Sequence, residues 1–259
     1  LSYVDRLIHK WLVLLERRCF SQSQVVFVKS QLMSGEVASF YGIDKKRIAV
    51  ITGGIDEKDF VQEKKTDLNL RKKLGIDADA YVFLYAGRVV PQKGLMYLVQ
   101  ASIRALTSSS FTVLIAGASD DKPYLAKVKD IIASSCHRDV FYFLRHVDQM
   151  DMSAVFYTAD CLVTPSLYEP FGMVNLQAAF LNKTIITTTV AGSVEVLSDY
   201  PKKIVIPPTS AHELVKALIE VSHWKNRDES TKINFAAYTW SAVAEKMVKY
   251  FLESVKHKV

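Results

Sequence analysis

The chain has few cysteines and no long apolar run, and each absence excludes a class of protein. Cys19, Cys136 and Cys161 are far apart and odd in number, with no Cys-x-x-Cys and no Cys/His spacing suited to zinc. A disulfide-stapled fold is therefore excluded, and free thiols point to a reducing compartment, the cytoplasm. Cys161 stands in an apolar run and reads as a core residue rather than a nucleophile. The longest apolar stretches are Trp11–Leu15 and Tyr81–Ala86, whereas a membrane-spanning helix needs about 20 apolar residues. No signal-peptide pattern is legible near Leu1. Charge of one sign is not in large excess: 33 Lys and Arg against 27 Asp and Glu leave a net charge of +6. A pI near 9.0 suits anionic partners. Nucleic-acid binding has only that in its favour, since no aromatic and basic interleaving accompanies it. The short basic clusters Lys64-Lys65 and Arg71-Lys72-Lys73 read as solvated faces.

What is present is an ordinary globular composition: 259 residues, 49% hydrophobic and 23% charged. That length predicts one large domain, or one domain plus part of another, with a core that needs no staples. From about residue 81 short β-rich runs alternate with longer amphipathic ones. The runs begin at Tyr81, Thr112, Val140, Cys161, Thr184 and Ile204, and helix-like segments begin near Gly94, Tyr124, Met150, Gly172, Ser193 and Ala211. Several runs are apolar without alternation, which suits strands buried on both faces. The spacing predicts an α/β fold with a doubly wound parallel sheet.

The first 60 residues differ. Residues 3–18 place Val4, Leu7, Ile8, Trp11, Leu14 and Leu15 on one helical stripe. A strand is expected at Val25, a helix over Gln31–Tyr41 closed by Gly42, a second strand at Ile48, and a turn or hinge at Gly53-Gly54. Two strands and two helices are too little for an independent sheet, so this piece reads as the end of a larger domain. The last segment, Thr239 to Val259, is an amphipathic helix long enough to reach back to it.

Ligands of open α/β sheets bind outside the carboxyl ends of the strands. After the Tyr81 run comes Gly87-Arg88-Val89-Val90-Pro91-Gln92-Lys93-Gly94. Arg88 and Lys93 put two cations on one strand-to-helix loop, able to hold phosphate together with the helix N-terminus. The order fits neither a Walker loop nor a G-x-G-x-x-G turn. Two solvated surface cations are the plain alternative. After the Cys161 run comes Pro165-Ser166-Leu167-Tyr168-Glu169-Pro170-Phe171-Gly172. The amides of Phe171, Gly172 and Met173 would lie free at a helix N-terminus, suited to an anion or a sugar oxygen. Glu169 would face the same crevice as a ligand contact, or serve as a helix cap. Cations for a diphosphate beside a carboxylate and amides for hydroxyl groups describe a site for a nucleotide-sugar.

Taken in order, these stretches resemble a retaining glycosyltransferase of family 4, the glycosyl transferases group 1, built on the two-domain GT-B fold. Ile48 through Gly53-Gly54-Ile55-Asp56 with Phe60 is similar to the family's inter-domain segment, usually written Asn-Gly. Gly87-Arg88 with Lys93-Gly94 matches its diphosphate loop. Ala159-Asp160 through Glu169-Pro170-Phe171-Gly172 matches its most specific signature, and Ala191-Gly192-Ser193-Val194-Glu195 its Gly-Gly-x-x-Glu turn. The resemblance implies that residues 1–56 are the remnant of an acceptor domain and hinge. Residues 57–238 would form the Rossmann-like donor domain, and residues 239–259 a helix returning to the first segment. It implies Arg88, Lys93 and Glu169 as catalytic residues. It adds Gly54, Phe171, Gly172, Met173 and Gln177 as donor contacts, and Arg145, His146 and Val147 beside the base. It implies no metal and no cofactor, since the two cations offset the leaving diphosphate. The partners would be a nucleotide-sugar donor and a saccharide or lipid acceptor, with no nucleic acid. A first domain or partner chain, or a membrane surface, would cover the apolar face of residues 3–18.

Four positions depart from the pattern. Gln177 stands where a second Glu is usual, and losing a charged acceptor for ribose hydroxyls is expected to weaken donor binding by roughly 1 kcal/mol. Asn182 and Thr184 replace a Gly and a Pro, and Arg145 stands where Gly is common. Residues 1–56 cover only the last part of the family's first domain. The chain is thus expected to be a piece of an enzyme, one part of a split enzyme, or a degenerate nucleotide-sugar-binding module. A sugar-nucleotide epimerase on the same fold fits the Glu-Pro-Phe-Gly loop less well.

Overall fold

The computed structural model describes residues 3–60, 65–144, 149–224 and 234–256. The chain opens with α1 (Tyr3–Gln22), then β1 (Val26–Val28), α2 (Gln31–Tyr41) and β2 (Ile48–Val50). β1 and β2 pair in parallel as a sheet of their own, Val26 opposite Ile48. Ser30 caps α2 by accepting from the Met33 amide, and Gly42 ends it at φ +69°. The helix therefore occupies the span its end signals predict.

The body follows: α3 (Lys65–Leu74), β3 (Val82–Ala86), α4 (Leu95–Ala105), β4 (Thr112–Ala116), α5 (Lys122–Ala133) and β5 (Phe141–Leu144). Then come α6 (Gln149–Thr158), β6 (Cys161–Thr164), α7 (Met173–Phe180), β7 (Thr184–Thr188), α8 (Ser193–Val196), β8 (Lys203–Ile206) and α9 (Ala211–Ser222). Six strands form one sheet in the order β5-β4-β3-β6-β7-β8, every pair parallel. The expected doubly wound sheet is the one observed. Its strand runs lack alternation because both faces are covered. Phe83, Tyr85, Val113, Ile115 and Val163 pack with α4, α5 and α9 on one side. Val82, Leu84, Leu114, Leu162 and Ile185 pack with α6 and α7 on the other. Cys161 is fully buried among them, and burial pushes its thiol well above the ordinary range.

The basic cluster at Arg71 is a correction. Lys72 and Lys73 are exposed as expected, but Arg71 is not a solvated cation. Its guanidinium donates to the carbonyls of Thr158, Ala78 and Ala80 at 3.1, 3.0 and 2.9 Å and pairs with Asp160 at 3.1 Å. Asp160 also accepts from the Val82 amide at 2.7 Å, so the two ions pin α3 to the entry of β3. Lys64 lies outside the described residues.

The last helix, α10 (Trp240–Lys256), returns to the first segment. The Ile55 amide donates to the Tyr238 carbonyl at 2.7 Å, and Phe27 of β1 meets Tyr250 and Phe251 edge-on at 6.2 and 5.2 Å. The expected stripe on α1 is uncovered: Val4, Leu7, Ile8, Leu14 and Leu15 are exposed, and Trp11 is 67% exposed. No helix among the described residues is long and apolar enough to cross a membrane.

Candidate active site

Strand order reverses direction between β3 and β6, so the crevice of this sheet opens at their carboxyl ends. Both sequence-predicted loops leave from there. The loop after β3 is held by its own backbone: the Tyr85 hydroxyl donates to the Arg88 carbonyl at 2.7 Å, and the Ser119 hydroxyl to the Val89 carbonyl at 2.7 Å. Burial raises the Tyr85 phenol above its ordinary pKa, so it stays a neutral donor. Gly94 ends the loop at φ +72°, and a Cβ there would lie 1.9 Å from the Pro165 carbonyl oxygen. Only glycine satisfies both the left-handed backbone and that approach. The Leu167 amide completes the seam by donating to the Gln92 carbonyl at 2.8 Å.

The loop after β6 stands on a buried polar network. Thr164 donates to Asn175 Oδ1 at 2.8 Å, and Asn175 Nδ2 donates to Thr187 at 3.0 Å and Ser193 at 2.9 Å. Thr164, Asn175, Thr187 and Ser193 are all buried, and together they satisfy one another. They fix the first turn of α7 beneath Gly172, which takes φ +93° as its N-cap. A Cβ on Gly172 would press on Ser193, Asn175 and Glu169 at 3.1 to 3.2 Å.

The two loops enclose a cleft of about 400 Å³ lined by Arg88, Lys93, Glu169, Phe171, Gly172 and Met173 among others. Six of the sequence-predicted residues thus meet in one place. Lys93 and Glu169 do more than share it: Lys93 Nζ lies 2.5 Å from Glu169 Oε2, with both side chains more than four-fifths buried. The sequence places them on different parts of a ligand, whereas their side chains form an ion pair with each other. Arg88 is exposed and free to reach outward. Gln177 is half-buried one turn beyond Met173, outside the residues that line the cleft. Gly54 does not line it either. A Cβ there would meet Trp240 backbone and ring at 2.8 Å, so Gly54 seats Trp240 while Gly53 faces the cleft. Arg145, His146 and Val147 lie outside the described residues. Among the described residues no group of three or more His, Cys, Asp or Glu side chains could hold a metal ion.

Sequence reasoning missed Lys29, Tyr85 and Trp240 on the cleft wall. Lys29 follows β1, so searching the carboxyl end of that strand as well would have found it. It also missed how closely the first segment meets the signature loop. Ser30 Oγ donates to the Pro170 carbonyl at 2.8 Å, and Tyr168 donates to Glu36 at 3.1 Å. The Glu195 carboxylate accepts from the Gln31 and Leu32 amides at 2.9 and 2.7 Å, covering the positive end of α2.

The sheet order, the crevice at its switch point and the two loops define a class, the Rossmann-like α/β fold with an open parallel sheet. The family model of the glycosyl transferases group 1 matches residues 46–240, and the chain belongs to that family. An uncharacterized glycosyltransferase of Methanocaldococcus jannaschii is 27% identical over 239 residues, which is 90% of this chain and 60% of that protein. The fold is shared with sucrose-phosphate synthase of Thermosynechococcus elongatus. That match has a TM-score of 0.77 and 20% identity, covering 95% of this chain and 62% of the other. It is shared equally with the Anabaena protein HepE in complex with UDP and glucose, with a TM-score of 0.75 and 16% identity, covering 95% and 67%. A third solved structure with this fold is WaaG, a glycosyltransferase involved in lipopolysaccharide biosynthesis, at a TM-score of 0.70 and 19% identity, covering 95% of this chain and 64% of the other. The chain spans about half to three-fifths of the length of the curated relatives it matches.

Proposed function

We propose that this chain carries the donor site of a retaining, metal-independent family-4 glycosyltransferase. It would move a sugar from a nucleoside diphosphate to a hydroxyl group of a saccharide or lipid. The observation that supports this most is the meeting of Arg88, Lys93, Glu169 and the N-terminus of α7 in one cleft at the switch point of the sheet. As the bond from the anomeric carbon to the diphosphate breaks, negative charge grows on the leaving phosphate oxygen. Arg88 and Lys93 stabilise that charge from fixed positions. Glu169 and the amides of Phe171, Gly172 and Met173 hold the sugar hydroxyls, so the anomeric carbon stays in register while the acceptor oxygen attacks on the face that the diphosphate leaves, its proton passing to the departing phosphate oxygen. Binding requires Lys93 and Glu169 to exchange each other for phosphate and hydroxyl. Gln177 would accept from the ribose, and Arg145, His146 and Val147 would lie by the base. The UDP and glucose in the HepE structure agree with this class of donor. The work is assigned to the cytoplasm, with α1 available to a first domain, a partner chain or a membrane surface.

Calorimetric titration with UDP-, GDP- and ADP-sugars tests the reading. One donor should bind, and an Arg88→Ala/Lys93→Ala variant should lose at least about two orders of magnitude in affinity, as expected for two charge-assisted contacts. Equal affinity in the variant would reject the site. A second reading, a nucleotide-sugar-binding module without turnover, rests on Gln177 and on the mutual neutralisation of Lys93 and Glu169. Donor hydrolysis or transfer by the chain rules it out.

A further inference from the structure

We propose that Lys29 is an anion-binding residue of the cleft, placed to hold a phosphoryl oxygen at the end of the site where Glu169 lies. The charges of the cleft wall motivate this. Its lining carries three cations, Lys29, Arg88 and Lys93, and one carboxylate, Glu169. Lys93 and Glu169 cancel each other at 2.5 Å. Arg88 and Lys29 are then left as cations with no ion-pair partner among the described residues. They reach the cleft from different sheets, Arg88 after β3 and Lys29 after β1.

The backbone around Lys29 is fixed, although its side chain is exposed. The next residue, Ser30, is buried and donates to the Pro170 carbonyl at 2.8 Å. Gly192 lies so close that a Cβ on it would meet Ser30 Cβ at 2.4 Å, and the Gly192 amide donates to the Glu169 carbonyl at 3.1 Å. The chain is thus clasped one residue beyond Lys29 to the segment that carries Glu169. The positive end of α2 cannot act as the anion site in its place. Its Gln31 and Leu32 amides are taken by Glu195, and its Met33 amide by Ser30. With the first amides of α2 taken, the Lys29 ammonium is a donor at this corner that no described residue engages, and an ammonium is a strong point-charge partner for phosphate.

Two anions could stand there: the donor diphosphate next to the transferred sugar, or a phosphate carried by the acceptor. The inference deepens the glycosyltransferase reading and rests on it for these two sources. Calorimetry of the full chain distinguishes them. UDP, GDP and ADP are titrated into wild type, Lys29→Ala, Lys29→Arg and the Arg88→Ala/Lys93→Ala variant. Inorganic phosphate is then titrated into each with the bound nucleotide saturating. Lys29→Ala should bind one of the two probes about tenfold more weakly, and Lys29→Arg should restore most of the affinity. A loss on the nucleotide assigns Lys29 to the donor, and a loss on phosphate alone assigns it to the acceptor. Unchanged affinity for both, with the double variant still defective, overturns the role of Lys29 and leaves the donor site standing. A wild-type chain that binds neither probe overturns both. Thermal unfolding of Lys29→Ala should match wild type, since the side chain makes no hydrogen bond or ion pair among the described residues.

Discussion

Strands β3 and β4 are buried along their whole length, whereas β1 has a half-buried centre and β2 has one buried residue in three. The large sheet closes its faces with its own helices. The small one is covered by α2 on one side and borrows from the body through Ser30, Glu195 and α10. The difference teaches where the candidate site gets its rigidity. The cation loop and the signature loop stand on the self-sufficient sheet, and Lys29 enters on the dependent one.

That comparison can be broken or sharpened by substitution. The largest effect is expected at Gly94→Ala, which combines a left-handed backbone with a collision against Pro165. About 3 kcal/mol of stability should be lost, and roughly 6–12 °C in Tm, together with donor binding. Asn175→Ala should follow, leaving Thr164, Thr187 and Ser193 without their shared partner at a cost of about 2–3 kcal/mol. Differential scanning calorimetry checks both. Glu195→Ala addresses the small unit and should cost about 1–2 kcal/mol, felt locally. Hydrogen exchange at the Gln31 and Leu32 amides should quicken by about tenfold while β3 and β4 keep their protection. If β3 and β4 loosen equally, the two units form one cooperative body and the contrast fails. Gln177→Glu should be the smallest change, tightening donor binding several-fold, or about 1 kcal/mol. No gain in calorimetry would place Gln177 away from the ribose.

Much of this was legible because the strands follow period and burial closely. Each apolar run between Tyr81 and Ile204 became a strand, and the residues following two of them became the cleft. Gly42 marked the end of α2 for the same local reason. α3 was not legible. Its run Lys65–Leu74 is charged, and besides Leu70 and Leu74 it is held by Arg71 reaching carbonyls up to 87 residues away, which no local pattern encodes. The Lys93–Glu169 pair was hidden likewise: the two loops were legible as sharing one crevice, but no local pattern says that side chains 76 residues apart touch. Asn182 looked like a departure from a family glycine. It takes φ +55°, a conformation asparagine tolerates, so the turn after α7 is kept.

The clasp around Lys29 also has a kinetic consequence. Ser30 is 140 residues from Pro170, and Gln31 is 164 from Glu195. Closing such long loops costs chain entropy that only a pre-assembled body can offset. The parallel sheet is therefore expected to form before the clasp does, which φ-values at Ser30 lower than those in β3 and β4 would show. This corner of the cleft should be among the last parts of the protein to assemble and the first to open under denaturant.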